Sequence, residues 1–110
     1  MMNIEKLCKG DVVYISGPIR GRDLDEAKEA FKCRQKWLAS QGYVAINPFE
    51  NGLKDDDPIE MHMRNDILML MGSDAIYLMQ GWEKSEGCRL EMHAATLCGL
   101  AVVYEEYDEL

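Results

Sequence analysis

The stretch "DVVYISGPIRGRD", Asp11–Asp23, decides how the chain is read. "DVVYIS" (Asp11–Ser16) is a short apolar, β-branched run that reads as a strand and stops at Gly17-Pro18. A helix opens soon afterwards. Asp23 and Glu26 stand at capping-box spacing, and Ala27, Ala30, Phe31 and Leu38 share one face. Gly42 ends that helix, and "YVAI" (Tyr43–Ile46) is the second strand, closed by Asn47-Pro48.

The alternation continues along the chain. The polar loop "ENGLKDD" leads to Asp57-Pro58, read as an N-cap followed by proline at the first helical position. That helix runs to about Met71 with Gly72 as its stop. "DAIYLM" (Asp74–Met79) is the third strand, a helix spans about Ser85 to Cys98, and "LAVVY" (Leu100–Tyr104) is the fourth strand. The acidic tail "EEYDEL" reads as a frayed, solvated end. Strands this apolar, separated by helices, indicate an α/β single domain over residues 1–110: a parallel sheet of about four strands with helices on both faces. Ligands of such sheets bind beyond the carboxyl ends of the strands, here "SGPIRGRD", "NPFENG" and "QGWEKSEG".

Composition narrows the function classes. The chain has 110 residues, 47% hydrophobic and 29% charged, in the range of a globular domain. A net charge of -8 argues against a nucleic acid polymer as partner, since such binding rewards basic surfaces. A small anionic substrate remains compatible, because a helix terminus and one arginine outweigh distant surface charge. No apolar run approaches the roughly 20 residues of a membrane span, and no signal-peptide core is evident, so a cytoplasmic protein without membrane contact is expected. Cys8, Cys33, Cys88 and Cys98 lack C-x-x-C spacing, so neither a metal site nor a redox dithiol is expected, and the four read as free thiols.

Two carboxylates break otherwise apolar helix faces. At about 100° per residue, Gly87, Glu91, Ala94, Ala95 and Cys98 share one face of the third helix, and Arg89, His93 and Thr96 lie opposite. On the second helix Ile59, Met63, Ile67 and Leu70 form an apolar face with Asp66 among them. A buried carboxylate is costly unless paired, hydrogen-bonded or functional. Two of them on helices flanking one strand suit glycosidic-bond chemistry, one as nucleophile and one assisting the leaving group. The plainer alternative is that each carboxylate accepts hydrogen bonds from a neighbouring loop or tyrosine.

The loop after the first strand fits a phosphate or sugar cradle: its glycines allow close backbone approach, and Arg20 offers a bidentate donor. It is neither a dinucleotide fingerprint nor a P-loop. Ser85-Glu86-Gly87, at the start of the third helix, offers N–H groups and a hydroxyl suited to an anion, or a plain serine cap. His62 and His93 read as surface residues. Met61, Met63, Met69 and Met71 crowd the second helix, and those facing outward suggest a subunit interface.

The ordered set "YISGPIRG", Asp66, "SDAIYLM" and Ser85-x-Gly87-x-x-x-Glu91 resembles the nucleoside 2-deoxyribosyltransferase superfamily. It is similar in particular to the 2'-deoxynucleoside 5'-monophosphate N-glycosidases, and more so to a bacterial and phage domain family of unassigned function. The resemblance runs from about Val12 to Val103. It implies a flavodoxin-like or Rossmann-like three-layer sandwich, no metal or organic cofactor, and a homodimer or higher homo-oligomer. It also implies cleavage or transfer at the N-glycosidic bond of a 2'-deoxynucleoside or its 5'-monophosphate.

By position, the resemblance makes Glu91 the nucleophile at C1', Asp66 the group that assists at the base or orients the sugar, and Tyr14 a hydrogen-bond donor near Glu91. Ser16, Gly17, Ile19, Arg20, Gly21, Asn47, Gly81, Ser85 and Gly87 become the substrate-binding set, with Arg20, Ser85 and Gly87 toward a 5'-phosphate. Trp82, just before Ser85, is a candidate base-stacking residue, with aromatic packing over the loop as the equal alternative. Three departures stand out. Met92-His93 replaces the usual Leu-Gly after the glutamate, and Pro18 replaces a serine of the monophosphate glycosidases. The chain also stops soon after the fourth strand, where relatives supply residues to a neighbouring subunit. These departures favour an alternative, a nucleotide-binding module without turnover. A further reading is a structural oligomer whose cleft is vestigial.

Overall fold

The computed structural model describes residues 7–105. Its elements are β1 (Val12–Ser16), α1 (Leu24–Ser40), β2 (Val44–Ile46), α2 (Ile59–Met71), β3 (Ala75–Leu78), α3 (Glu86–Leu97) and β4 (Ala101–Tyr104). Two single 3₁₀ turns, Pro48–Glu50 and Trp82–Lys84, fall where the sequence reads only as loop. The four strands form one parallel sheet in the order β2-β1-β3-β4. This is the α/β fold expected from the alternating apolar runs.

The strand pleat divides the core into two halves. Val13 and Ile15 of β1 pack with Phe31 and Leu38 of α1 on one face. Tyr14 points the other way and packs with Leu70 of α2 and Ala95 of α3. Successive side chains of a strand alternate between faces, so Ser16 shares the α2/α3 side with Tyr14. The strand order then sets the crevice. From β1 the chain crosses outward to β2, and from β2 it returns over β1 to β3, so the connections leave β1 and β3 in opposite directions. Their carboxyl ends, paired in register as Ser16 with Leu78, flank the switch point where ligands bind in such sheets.

Local chemistry accounts for the element ends. Asp23 caps α1, its side chain accepting from the Glu26 N–H at 3.0 Å. At α2 the expectation is corrected. Pro58, not Asp57, holds the N-cap position, and Asp57 instead closes the preceding turn by accepting from the Lys54 N–H at 2.7 Å. A carboxylate engaged backward in that turn is not free to reach forward over the helix.

The apolar faces also differ from the helical-wheel reading. In α3 the buried residues are Cys88, Glu91 and Ala95, so the buried arc is rotated toward Cys88, and Cys98 is exposed at the C-cap. In α2 only Leu70 is fully buried, and Ile59, expected in the core, is 51% exposed. The first turn of α2 lines the cleft, which leaves Ile59 open to solvent.

The start of the acidic tail is ordered rather than frayed. Glu105 accepts from Arg34 Nε at 3.0 Å, Tyr77 Oη at 2.9 Å and the Gln80 N–H at 2.9 Å. Burial alone would raise its carboxyl, but Arg34, the Gln80 N–H and Tyr77 together hold it below its ordinary value. Residues 106–110, the rest of that expectation, lie outside the described residues. Among the described residues no helix is long and apolar enough to cross a membrane, and no group of three or more His, Cys, Asp or Glu is placed to hold a metal ion.

Candidate active site

A cleft of ≈ 1250 Å³ opens at the carboxyl ends of β1 and β3, between the loop after β1, the Pro48–Leu53 segment, α2 and the start of α3. It is larger than the roughly 300–1,000 Å³ usual for small-molecule sites, and its outer wall carries Leu24, Ile59, Leu68 and Leu90, all exposed.

Glu91 lines this cleft and is only 5% exposed. Tyr14 Oη donates to its Oε2 at 2.7 Å, and Ser16 Oγ donates to its Oε1 at 2.7 Å. The strand repeat explains the pair. Residues two apart project from the same face of β1, and α3 lays Glu91 over that face. No described cation contacts the carboxylate. Burial therefore dominates and pushes the Glu91 carboxyl up to about 7, against the lowering effect of the two hydroxyls and with a further push from Asp66. Tyr14 is raised well above its ordinary value, first by burial and then by the neighbouring Glu91 and Asp66 carboxyls.

Asp66 lines the same cleft from α2. Burial raises its carboxyl, while a hydrogen bond from Asn51 and the nearby His62 oppose the rise. Asn51 Nδ2 donates to Asp66 Oδ1 at 2.9 Å. Cys88 also lines the cleft, its thiol pushed up chiefly by burial.

The expected cradle is brought together in part. Gly17, Ile19, Arg20, Ser85 and Gly87 line the cleft. Gly17 also has a packing reason to be glycine. A Cβ there would lie 2.6 Å from Met79 Sδ and 3.1 Å from Phe31 Cζ. Ser85 caps α3, its Oγ accepting from the Cys88 N–H at 3.2 Å. The N–H groups of Glu86 and Gly87 are left without intrahelical acceptors at the mouth of the cleft. Among the described residues Arg20 makes no hydrogen bond or ion pair and is exposed.

Five residues expected to bind substrate do not line the cleft. Ser16 is 1% exposed, and its hydroxyl is engaged by Glu91. Asn47 caps the 3₁₀ turn by accepting from the Phe49 N–H and donates to Gln35, so its amide is occupied. Gly21 and Gly81 serve as turn positions with φ of 76° and 91°. Trp82 packs on Tyr104 with ring centroids 5.8 Å apart and joins the α2/α3 core, so it is not placed to stack on a base in the cleft. The 3₁₀ turn that it begins folds the indole back over the sheet.

The cleft also contains residues that the sequence reading passed over: Asn51, His62, Arg64, Lys84 and Cys88. His62 is held by Asn51 rather than lying free on the surface. It precedes Asp66 by one helical turn, a spacing that could have linked the two.

The family model DUF4406, a domain of unknown function, matches residues 11–104, so the chain belongs to that family. Among solved structures, it is similar to a 2-deoxyribosyltransferase from the psychrotolerant bacterium Bacillus psychrosaccharolyticus, with 18% identity and a TM-score of 0.64. That match covers 83% of this chain and 69% of the other. It is also similar to a 2-desoxiribosyltransferase from Leishmania mexicana, with 21% identity, a TM-score of 0.62 and coverage of 84% and 61%. The chain thus has the fold of 2-deoxyribosyltransferases, while spanning less than two thirds of the second relative's length. No curated protein matches.

Proposed function

We propose that this member of the DUF4406 family cleaves or transfers at the N-glycosidic bond of a 2'-deoxynucleoside or its 5'-monophosphate, with Glu91 as nucleophile. One observation carries the reading. Glu91 is a buried carboxylate at the carboxyl end of the sheet, held through both oxygens by hydroxyls and lining the cleft with no described cation in contact with it. A carboxylate kept dry and oriented in this way is prepared to attack an electrophilic carbon.

In the proposed reaction a Glu91 oxygen forms a bond to C1' as the C1'–N bond breaks, and the bonding electron pair leaves with the base. Asp66, whose carboxyl burial raises, supplies a proton to the departing base nitrogen. Water or an incoming base then attacks C1' from the opposite face, giving its proton to the now ionised Asp66 as the bond between C1' and the Glu91 oxygen breaks. Tyr14 and Ser16 hold the carboxylate throughout. The Glu86 and Gly87 N–H groups, the Ser85 hydroxyl and Arg20 suit a 5'-phosphate at the α3 start.

A second copy of the chain is the proposed partner. Ile59, Leu68 and Leu90 on the cleft wall are 51%, 71% and 50% exposed, an apolar rim that a dimer would cover. Sedimentation should give a mass above that of one chain, and Leu68→Glu should reduce it. A monomeric wild type would remove this part of the proposal.

A nucleotide-binding module without turnover is the second reading. It is favoured by the rise of Glu91 to about 7, which leaves much of the nucleophile protonated near neutral pH. The deciding experiment is chromatographic detection of free base from a panel of deoxynucleosides and their monophosphates, with and without an acceptor base. Release that disappears in Glu91→Ala supports the enzyme. Ligand-shifted melting without release supports the module.

A further inference from the structure

Asn51 follows the 3₁₀ turn Pro48–Glu50 and ties the loop beyond it to α2. Its Oδ1 accepts from the Leu53 N–H at 3.0 Å, an Asx-type turn that decides which way the amide points. Nδ2 must then face the other way, where it meets two acceptors. Asp66 Oδ1 lies at 2.9 Å and His62 Nδ1 at 3.0 Å.

A ring nitrogen opposed by an N–H has to accept, so His62 carries its proton on Nε2. That nitrogen lies 2.9 Å from the Lys54 carbonyl oxygen and donates to it. His62 and Asp66 stand one turn apart on α2, so both reach the same loop. Asn65 Nδ2 adds a bond to the Asn51 carbonyl at 3.1 Å. Each polar atom of the Asn51 side chain has a partner, and the amide cannot rotate without breaking three bonds.

We infer that Asn51, locked by His62, is a positioning residue for Asp66, holding one carboxylate oxygen so that the other is presented to the cleft. Among the described residues Oδ2 of Asp66 accepts no hydrogen bond, while Asp66 itself lines the cleft. A carboxylate fixed through one oxygen keeps a single rotamer, and the free oxygen holds a constant position for a base nitrogen or its proton. This deepens the proposed function, on which it rests, by assigning residues that orient the leaving-group side of the site.

The test joins two measurements. In ligand-free protein the Asp66 carboxyl ¹³C resonance is titrated for wild type, Asn51→Leu, His62→Leu and His62→Asn. Removing the Asn51 donor should move the Asp66 titration to higher pH. His62→Leu should move it in the same direction, because Asn51 is no longer locked and the direct opposing effect of His62 is lost. His62→Asn, which restores an acceptor at the Nδ1 position, should return it toward wild type. Free base released from the deoxynucleoside and monophosphate panel is the second readout. Asn51→Leu should lower kcat roughly 10- to 100-fold, the usual cost of a misplaced group, with little change in KM.

An unshifted Asp66 titration in Asn51→Leu overturns the inference, as does unchanged kcat in an active enzyme. His62→Asn behaving like His62→Leu overturns the role given to His62. If wild type releases no base while the titrations shift as expected, the positioning stands and the proposed reaction fails. His62→Leu leaves the Leu53 turn intact, so it serves if Asn51→Leu does not fold.

Discussion

Tyr14 Oη lies 2.7 Å from Glu91 Oε2, although the two residues are 77 positions apart in the chain. With Ser16 Oγ at 2.7 Å from the other oxygen, strand β1 supplies both donors to one carboxylate of α3. Hydroxyls stabilise the charged form less than a cation would, so burial still determines how Glu91 titrates.

That balance predicts a stability cost at the site. The Glu91 carboxyl is raised by burial from 4.5 to about 7. Between those values the folded state keeps a proton that the unfolded chain has lost, so stability falls as pH rises from 4.5 to 7. The penalty, on the order of 3 kcal/mol, is fully present above the folded value. Glu91→Gln should therefore raise the thermal midpoint over wild type at pH 8, with the advantage shrinking toward pH 4.5. A difference that does not vary with pH would contradict the buried-carboxylate account.

Tyr14→Phe removes one of the two donors while keeping the ring. The ionised form of Glu91 loses support, so the rising limb of the rate profile should move to higher pH. At pH 7 turnover should fall roughly 10- to 100-fold, matching about 1.5–3 kcal/mol for a hydrogen bond to a charged group. A limb that stays in place would show that Tyr14 does not govern the ionisation of Glu91.

Arg20 is exposed at the cleft mouth and makes no hydrogen bond or ion pair among the described residues. If it receives a 5'-phosphate, Arg20→Gln should raise KM for monophosphates by roughly tenfold or more and leave unphosphorylated nucleosides nearly unchanged. Equal effects on both substrate types would remove Arg20 from phosphate binding.

Gly17→Ala tests packing rather than chemistry. The added Cβ would meet Met79 Sδ at 2.6 Å and Phe31 Cζ at 3.1 Å, so the buried Met79 side chain has to shift. A loss of about 1–3 kcal/mol is expected from urea unfolding. An unchanged midpoint would mean that Met79 repacks freely.

Much of the fold was legible in local patterning. Short apolar runs ending in Gly-Pro or Asn-Pro, with amphipathic helices between them, specify parallel strands and crossovers, because each period reports a face that has to be buried. The same reasoning marked Glu91 and Asp66 as carboxylates out of place on apolar faces. It failed where a residue's environment depends on a distant element. Its position before Ser85 leaves Trp82 equally open to base stacking or packing, and the tilted contact with Tyr104 at the end of β4 decides for packing. Glu105 was read with the acidic tail, yet Arg34 of α1 anchors it.

By itself, then, the sequence determined the order of the elements and the presence of two carboxylates that need a reason. The tertiary structure alone decided their partners. Tyr14 and Ser16 reach Glu91 because β1 is central and α3 crosses its face, and Asn51 reaches Asp66 because the loop after β2 folds back onto α2. Periodicity shows which side of an element faces inward, but only the packing of elements far apart in the chain brings a donor to within 3 Å of its acceptor.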